Sequence, residues 1–337
     1  MIKPDHNFHP GPLNRCQISG SGNLFEAIDL GCQPSAGALL TKDDLRQPET
    51  YYPLRLMICP DCGLGQLDYA VDPKILFSAA HYVYRTGISE PLRTHLRSLA
   101  SEIVSQFHLP PQSLCVDIGS NDGTLLTFFR DLRMKTLGVE PTNMAKIAQT
   151  QNQIETLQEF FAESAAKKIA SRYGKARVIT FTNVFAHISD LGEVMEGLRR
   201  LLDEDGVVMT ESQYLLDAFE RNQFDQIYHE HVRIYSLKSL VKLFPYYGME
   251  VFDAHRITAR EGGIRIYASW KGKRPISREV GRLIKAEEDA GLFRPEGWQR
   301  FRAQVKENRE KLFNLAYEAK SKGLKFVADS CPTRGVV

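Results

Sequence analysis

The segment Leu114-Cys115-Val116-Asp117-Ile118-Gly119-Ser120-Asn121-Asp122-Gly123-Thr124-Leu125-Leu126 constrains this chain more than any other. Leu114 to Ile118 is a short apolar run ending at a glycine, the pattern of a buried parallel strand, and residues 124–132 carry apolar side chains at helical period. Strand, tight loop and helix in that order form the first unit of an open α/β sheet, and in such sheets ligands bind at the carboxyl ends of the strands. The alternation continues through a strand at 136–139, helices at 143–150 and 162–172, a strand at 177–182, a helix at 191–202 and a strand at 207–210. This predicts a Rossmann-like, doubly wound parallel sheet. Later strands are expected at 251–254 and 264–270.

The loop also narrows the ligand. Gly119 and Gly123 are four apart, whereas a dinucleotide fingerprint needs G-x-G-x-x-G for backbone amides to reach a pyrophosphate. Asp117 and Asp122 would repel a diphosphate and suit a cation such as the ammonium and sulfonium of S-adenosylmethionine (SAM). The second strand ends at Glu140, where an acid can accept hydrogen bonds from both ribose hydroxyls of an adenosine. These features point to SAM; the alternative is a structural turn whose glycines only permit tight geometry.

The length of 337 residues leaves room for two or three domains. Net charge is +2, which gives no reason to expect nucleic acid or an anionic membrane as partner. No apolar run approaches the roughly 18 residues of a membrane span, so a cytoplasmic protein is expected. The divisions expected are a proline- and glycine-rich cysteine module at 1–75, a SAM domain with an insert at 76–255, and a partial α/β domain at 256–337. A strand expected at 325–328 so near the end makes the last part read as a fragment lacking most of its domain. A charged helical stretch, 278–322, reads as a solvated face.

Of six cysteines, Cys59 and Cys62 form a Cys-Pro-Asp-Cys-Gly knuckle of zinc-ribbon type. The second pair would begin at Cys16, but Ser19 stands three residues on. Cys16, Cys59 and Cys62 are the candidate ligands, with Cys32 as a substitute if its loop folds back, and a knuckle without metal is the other reading.

The insert contains Tyr228-His229-Glu230-His231, adjacent groups that can each move a proton. If the segment is extended, His229 and His231 share one side and Tyr228 and Glu230 the other. A metal site is a rival, because His-x-His could recruit Asp190 or Glu211, and so is a surface loop. His187, after the strand at 177–182, lies on the same rim and is a further acid or base candidate.

Three segments carry a family resemblance: 116–126, Asn183-Val184-Phe185-Ala186-His187, and Gln223-Phe224-Asp225-Gln226-Ile227-Tyr228-His229-Glu230-His231. Together with Tyr82-Val83-Tyr84-Arg85-Thr86-Gly87, the cysteine module and Gly262-Gly263-Ile264-Arg265, they resemble the SAM-dependent C-methyltransferases of nucleotide-linked ketodeoxysugars. That resemblance implies a zinc module, a SAM domain, a domain that helps hold the nucleotide, and methylation at C3 of a 4-ketosugar through an enolate. It implies His231 as the base, with Tyr228, His187 and Glu230 positioning the sugar and stabilising the enolate. Tyr82, Tyr84 and Arg265 would contact substrate, and Asp117, Gly119, Asn121, Asp122, Glu140 and Asn183 would hold SAM. This chain departs from the family at Ser19, at Glu261 and Ile264 in place of His and Ser, and at Gln213 in place of proline. The sugar, its nucleotide and the oligomeric state stay open.

Overall fold

The computed structural model describes residues 9–36, 40–77, 82–257, 262–325, 327 and 335. Strands β1 (Phe25–Pro34), β2 (Tyr51–Ile58) and β3 (Gly65–Leu67) form an antiparallel sheet of the amino-terminal module. Alternate residues of β2, Leu54, Leu56 and Ile58, are buried, as the two-residue period of a one-sided sheet requires.

Helix α1 (Glu90–Gln106) begins with Pro91 in its first turn and buries Leu96, Leu99, Ala100 and Ile103, a stripe at helical spacing. Beyond it the expected alternation is present: β4 (Leu114–Ile118), α2 (Thr124–Asp131), β5 (Lys135–Val139), α3 (Met144–Thr150), β6 (Thr156–Leu157), α4 (Glu163–Tyr173), β7 (Ala176–Thr182), α5 (Leu191–Leu201) and β8 (Leu202–Ser212). All five residues of β4 are buried, because helices cover both faces of the sheet.

After β8 come β9 (Arg233–Ile234), β10 (Met249–Ile257) and β11 (Gly263–Trp270). The seven-stranded sheet has the order β10-β11-β8-β7-β4-β5-β6. It is mixed, not wholly parallel: β11 runs antiparallel to both β8 and β10. The link from Ile257 to Gly263 is too short for a parallel crossover, which needs about a dozen residues. β9 joins the other sheet, pairing with β3, so the insert is stitched to the cysteine module.

The charged stretch at 278–322 is two helices, α6 (Arg278–Asp289) and α7 (Trp298–Ser321), broken around Gly291 (φ +78°) and Pro295. Trp298 packs on Phe219 at 4.9 Å, and Arg302 Nη1 donates to the Ala27 carbonyl at 3.0 Å, which holds the start of α7 against the module. Residues 326 and 328 of the strand expected at 325–328, and the departure at Glu261, lie outside the described residues. Ile264 is in the core of β11. Among the described residues no helix is long and apolar enough to cross a membrane.

Candidate active site

A cleft of about 1230 Å³ opens at the carboxyl ends of β4, β5, β7 and β8. That exceeds the roughly 300–1,000 Å³ of a pocket for one small molecule, so there is room for two. Gly119, Asn121, Glu140 and Asn183 line it, as do Tyr82, Tyr84, His187, Tyr228 and Glu230.

The local backbone explains why the rim has this form. Gly119 has φ +65°, and a Cβ there would lie 2.5 Å from a Val184 methyl, so the loop after β4 can approach the loop after β7 only as glycine. Asn121 (φ +52°) and Asn183 (φ +57°) also adopt the left-handed region, which asparagine tolerates better than most residues. The Asn183 amide donates to the Glu211 carbonyl at 2.6 Å. Glu140 accepts from the amides of Asn121 and Thr142, each at 2.9 Å, which fixes its carboxylate at the rim. A carboxylate held beside two polar, conformationally locked loops fits an adenosine-type cofactor, and Gly119, Asn121, Glu140 and Asn183, which line the cleft, are the candidates to hold SAM.

Two expected cofactor residues stand elsewhere. Asp117 is buried within β4, accepts from Thr180 Oγ1 at 2.6 Å, is pushed up to about 7 by burial, and is not among the residues lining the cleft. Asp122 is also fully buried. It accepts from Arg85 Nε and the Gly87 amide, both at 3.0 Å, and from Thr124 Oγ1 at 2.6 Å. Asn121 adds to this anchor: its Oδ1 accepts from the Thr86 amide and its Nδ2 donates to the Tyr84 carbonyl. The loop side chains thus clamp the strap at 82–88 over the cleft. Sequence reasoning missed Arg85, although it lay inside the Tyr82–Gly87 segment.

The strap carries Tyr82, whose hydroxyl is raised above the ordinary tyrosine value by burial and then by the charges of Glu230 and Glu140. It therefore lies within electrostatic reach of both ends of the site. Across from it the segment after Ile227 is a turn, not the extended run expected: the His231 amide donates to the Tyr228 carbonyl at 2.9 Å, between buried Ile227 and Val232. The turn separates the two histidines. His229 points its Nε2 at the Pro53 carbonyl of the module, 3.2 Å away, and burial lowers its pKa.

His231 turns back, with its ring 4.2 Å from that of Tyr228 and 4.8 Å from that of His187. It is itself 1% exposed, one layer behind the two rings that line the cleft. Its Nδ1 lies 2.7 Å from the Gln226 carbonyl. A carbonyl can only accept, so Nδ1 carries the hydrogen and Nε2 is the basic nitrogen of the neutral ring. Glu230 approaches His187 Nδ1 at 3.8 Å, and burial pushes its carboxyl up to about 7. The rival His-x-His metal site does not assemble: the metal-type cluster found among the described residues is the cysteine one.

Arg265 does not line the cleft. It is buried in β11 and paired with Glu211 (2.9 Å) and Glu102 (2.8 Å), because an unpaired guanidinium there would be costly. Glu211 also meets His95 Nε2 at 2.6 Å; burial raises it, but His95 and Arg265 together hold it below the usual carboxylate value. A second buried arginine, Arg233 of β9, was not foreseen. Its guanidinium donates to the carbonyls of Ile188 and Ser189 (2.9 Å), tying the loop after His187 to the module. No local pattern marks it, since the pairing of Arg233 with Gln66 joins distant parts of the chain.

In the module, the sulfurs of Cys16, Cys59 and Cys62 lie within 4.8 Å of one another, with Cys16 and Cys62 at 3.4 Å. A tetrahedral site with Zn–S bonds of ~2.3 Å has edges of about 3.8 Å. Ser19 Oγ is 3.5 Å from Cys59 Sγ, so three thiolates and one oxygen donor fit zinc. Hydrogen bonds from Cys16 and Cys62 hold the Cys59 thiol far below its usual range, while both donors are raised. Cys32 is exposed and takes no part.

Comparison with known proteins agrees with this organisation. Residues 16–77 match the family described as "Putative zinc binding domain", residues 92–254 "Methyltransferase domain", and residues 259–337 "C-methyltransferase C-terminal domain". The last match corrects the expectation that most of the carboxyl-terminal domain is lacking. The C-methyltransferase NovU of Streptomyces niveus is 30% identical over 326 residues, 96% of this chain and 77% of that protein. Among solved structures, a SAM-dependent methyltransferase from Anabaena variabilis aligns with 53% of this chain and 86% of its own, at 16% identity and a TM-score of 0.43. Magnesium protoporphyrin IX methyltransferase from Synechocystis, with bound SAH, aligns with 52% and 81%, at 14% identity and a TM-score of 0.40. The chain belongs to the C-methyltransferase family and is a SAM-dependent methyltransferase with a three-cysteine module of zinc-binding type.

Proposed function

We propose that this chain methylates C3 of a nucleotide-linked 4-ketodeoxysugar, as a step of deoxysugar biosynthesis. The observation that carries the reading is the contact of His231 with Tyr228 and His187, which line the same cleft as Glu230, Gly119, Asn121 and Glu140. The identity of the sugar nucleotide rests on the motifs of the sequence.

A ketone at C4 acidifies the proton on C3, and His231 Nε2 is the base that removes it, with Nδ1 fixed by the Gln226 carbonyl. Negative charge then develops on the ketone oxygen. Tyr228, His187 and Glu230 line the cleft as donors for it, and a carboxyl near 7 is protonated for much of the time at neutral pH. SAM, when bound, supplies the electrophilic methyl group. Tyr82 and Tyr84, held by the strap, exclude water from the reacting carbon.

Glu230 is the second candidate for the base, because it lines the cleft directly whereas His231 lies one layer back. Incubation with SAM and a panel of nucleotide-linked 4-ketosugars tests the function. A product heavier by one methyl, with the new carbon on C3, is expected; transfer to oxygen or nitrogen alone overturns it.

A further inference from the structure

Gln213 has no part in the chemistry above, yet it occupies the same wall of the cleft. It follows directly on Ser212, the last residue of β8, and β8 places Glu211 against Thr182 of β7, next to Asn183. Its backbone has little freedom: a Cβ at Gly263 of β11 would lie 2.7 Å from the Ser212 carbonyl, so the neighbouring strand packs tightly against this end of β8. Its side-chain carbonyl, Oε1, is buried and has no hydrogen-bond donor among the described residues. Glu140 and Asn121, by contrast, are matched by backbone amides. Buried polar atoms are nearly always paired, so an unpaired one at a residue lining a ligand cleft calls for a partner that the described residues do not supply.

Ser189 repeats the pattern. It lines the same cleft, its Oγ is buried and unmatched among the described residues, and its carbonyl is held by Arg233 Nη2 at 2.9 Å. Both residues flank the proposed acid–base groups in the fold, Ser189 two places after His187 and Gln213 on the strand end beside Asn183. A carbonyl oxygen needs a donor, and a serine hydroxyl can give or accept.

Resting on the ketosugar reading, we propose that Gln213 and Ser189 recognise ring hydroxyls of the acceptor sugar and so set which sugar is methylated. Gln213 accepts from one hydroxyl, and Ser189 pairs with another polar group of the same ring. A site built to bond a hydroxyl discriminates strongly against the analogue lacking it, because its own buried group is then left unpaired.

The test uses the full chain and its Gln213→Leu and Ser189→Ala variants. Each is assayed with SAM and one nucleotide-linked 4-ketosugar, and with the analogues that lack each ring hydroxyl in turn. For the wild type, one deoxy analogue is expected to lose about tenfold or more in kcat/KM. Gln213→Leu should lower kcat/KM for the hydroxylated sugar by a similar factor, chiefly through KM, and erase the preference for that hydroxyl. SAM affinity by calorimetry should stay within about twofold, and Tm should not fall, since leucine removes an unpaired carbonyl. An unchanged preference in both variants, weakened SAM binding in Gln213→Leu, or a lower Tm overturns the inference while leaving the ketosugar reading in place. A wild type that methylates no ketosugar overturns that reading and the inference with it.

Discussion

The rings of His231 and Tyr228 meet at 4.2 Å with their planes tilted by 47°, the histidine behind and the tyrosine facing the cleft. The turn that produces this contact also sends His229 to the opposite side, so the two histidines of one motif have different neighbours. His231 is therefore shielded from bulk water by a ring that itself lines the cleft.

The strap over the cleft depends on Asp122. Asp122→Ala removes the acceptor for Arg85, the Gly87 amide and Thr124, and hydrogen bonds to a charged group contribute about 1.5–3 kcal/mol each. A stability loss of roughly 2 kcal/mol or more is expected by urea unfolding, together with faster proteolysis at 82–88 and a higher KM for both substrates. Cleavage and KM that match the wild type would mean that the strap is held by other contacts.

Metal content is the next expectation. The protein prepared with zinc should carry about one zinc per chain by elemental analysis, and Ser19→Cys should retain it against a chelator for longer, since a fourth thiolate replaces a weak oxygen donor. Chelation of the wild type should lower Tm, because metal affinity that builds on folding contributes to folded stability. A protein free of zinc after growth in zinc-supplemented medium would contradict this.

Stability should fall as pH rises from about 4 to 7. Asp117, Glu230 and Glu287 are each raised to about 7 from ordinary values near 4, with burial the first cause in all three. These three groups then hold more protons in the folded state than in the unfolded chain across that window, and by linkage their contribution to stability declines with rising pH until they have ionised. Tm by calorimetry should drop between pH 5 and 7, and Glu230→Gln should flatten part of the drop. A Tm that climbs across the same range would show these carboxyls to be ionised in the fold.

Much of the sheet was legible because it is local. Leu114–Ile118 and the strand ending before Glu140 announce themselves by apolar runs closed by Gly119 and an acid, and both occur with those limits or within one residue of them. The position of β11 was legible, but its antiparallel direction was not read from the sequence, where the run of βα units argued for a parallel sheet. What could not be read is long-range partnership. Asp122 looks like a ligand for a cation until Arg85, 37 residues earlier, is seen to take it. Arg265 likewise looks available for substrate until Glu211 and Glu102 enclose it. The extended reading of 228–231 failed because a turn is set by what Ile227 and Val232 bury, and burial depends on the module to which β9 is paired.

The most direct measurement is exchange of the C3 hydrogen of a nucleotide-linked 4-ketosugar in D2O, followed by NMR with enzyme and SAH, so that proton removal is seen without methyl transfer. The wild type should wash deuterium into C3. His231→Ala should slow this by about 10²–10⁴-fold, the usual scale for losing a general base, while SAM still binds. Exchange at the wild-type rate in His231→Ala, with loss of exchange in Glu230→Gln instead, would contradict the assignment of His231 as the base.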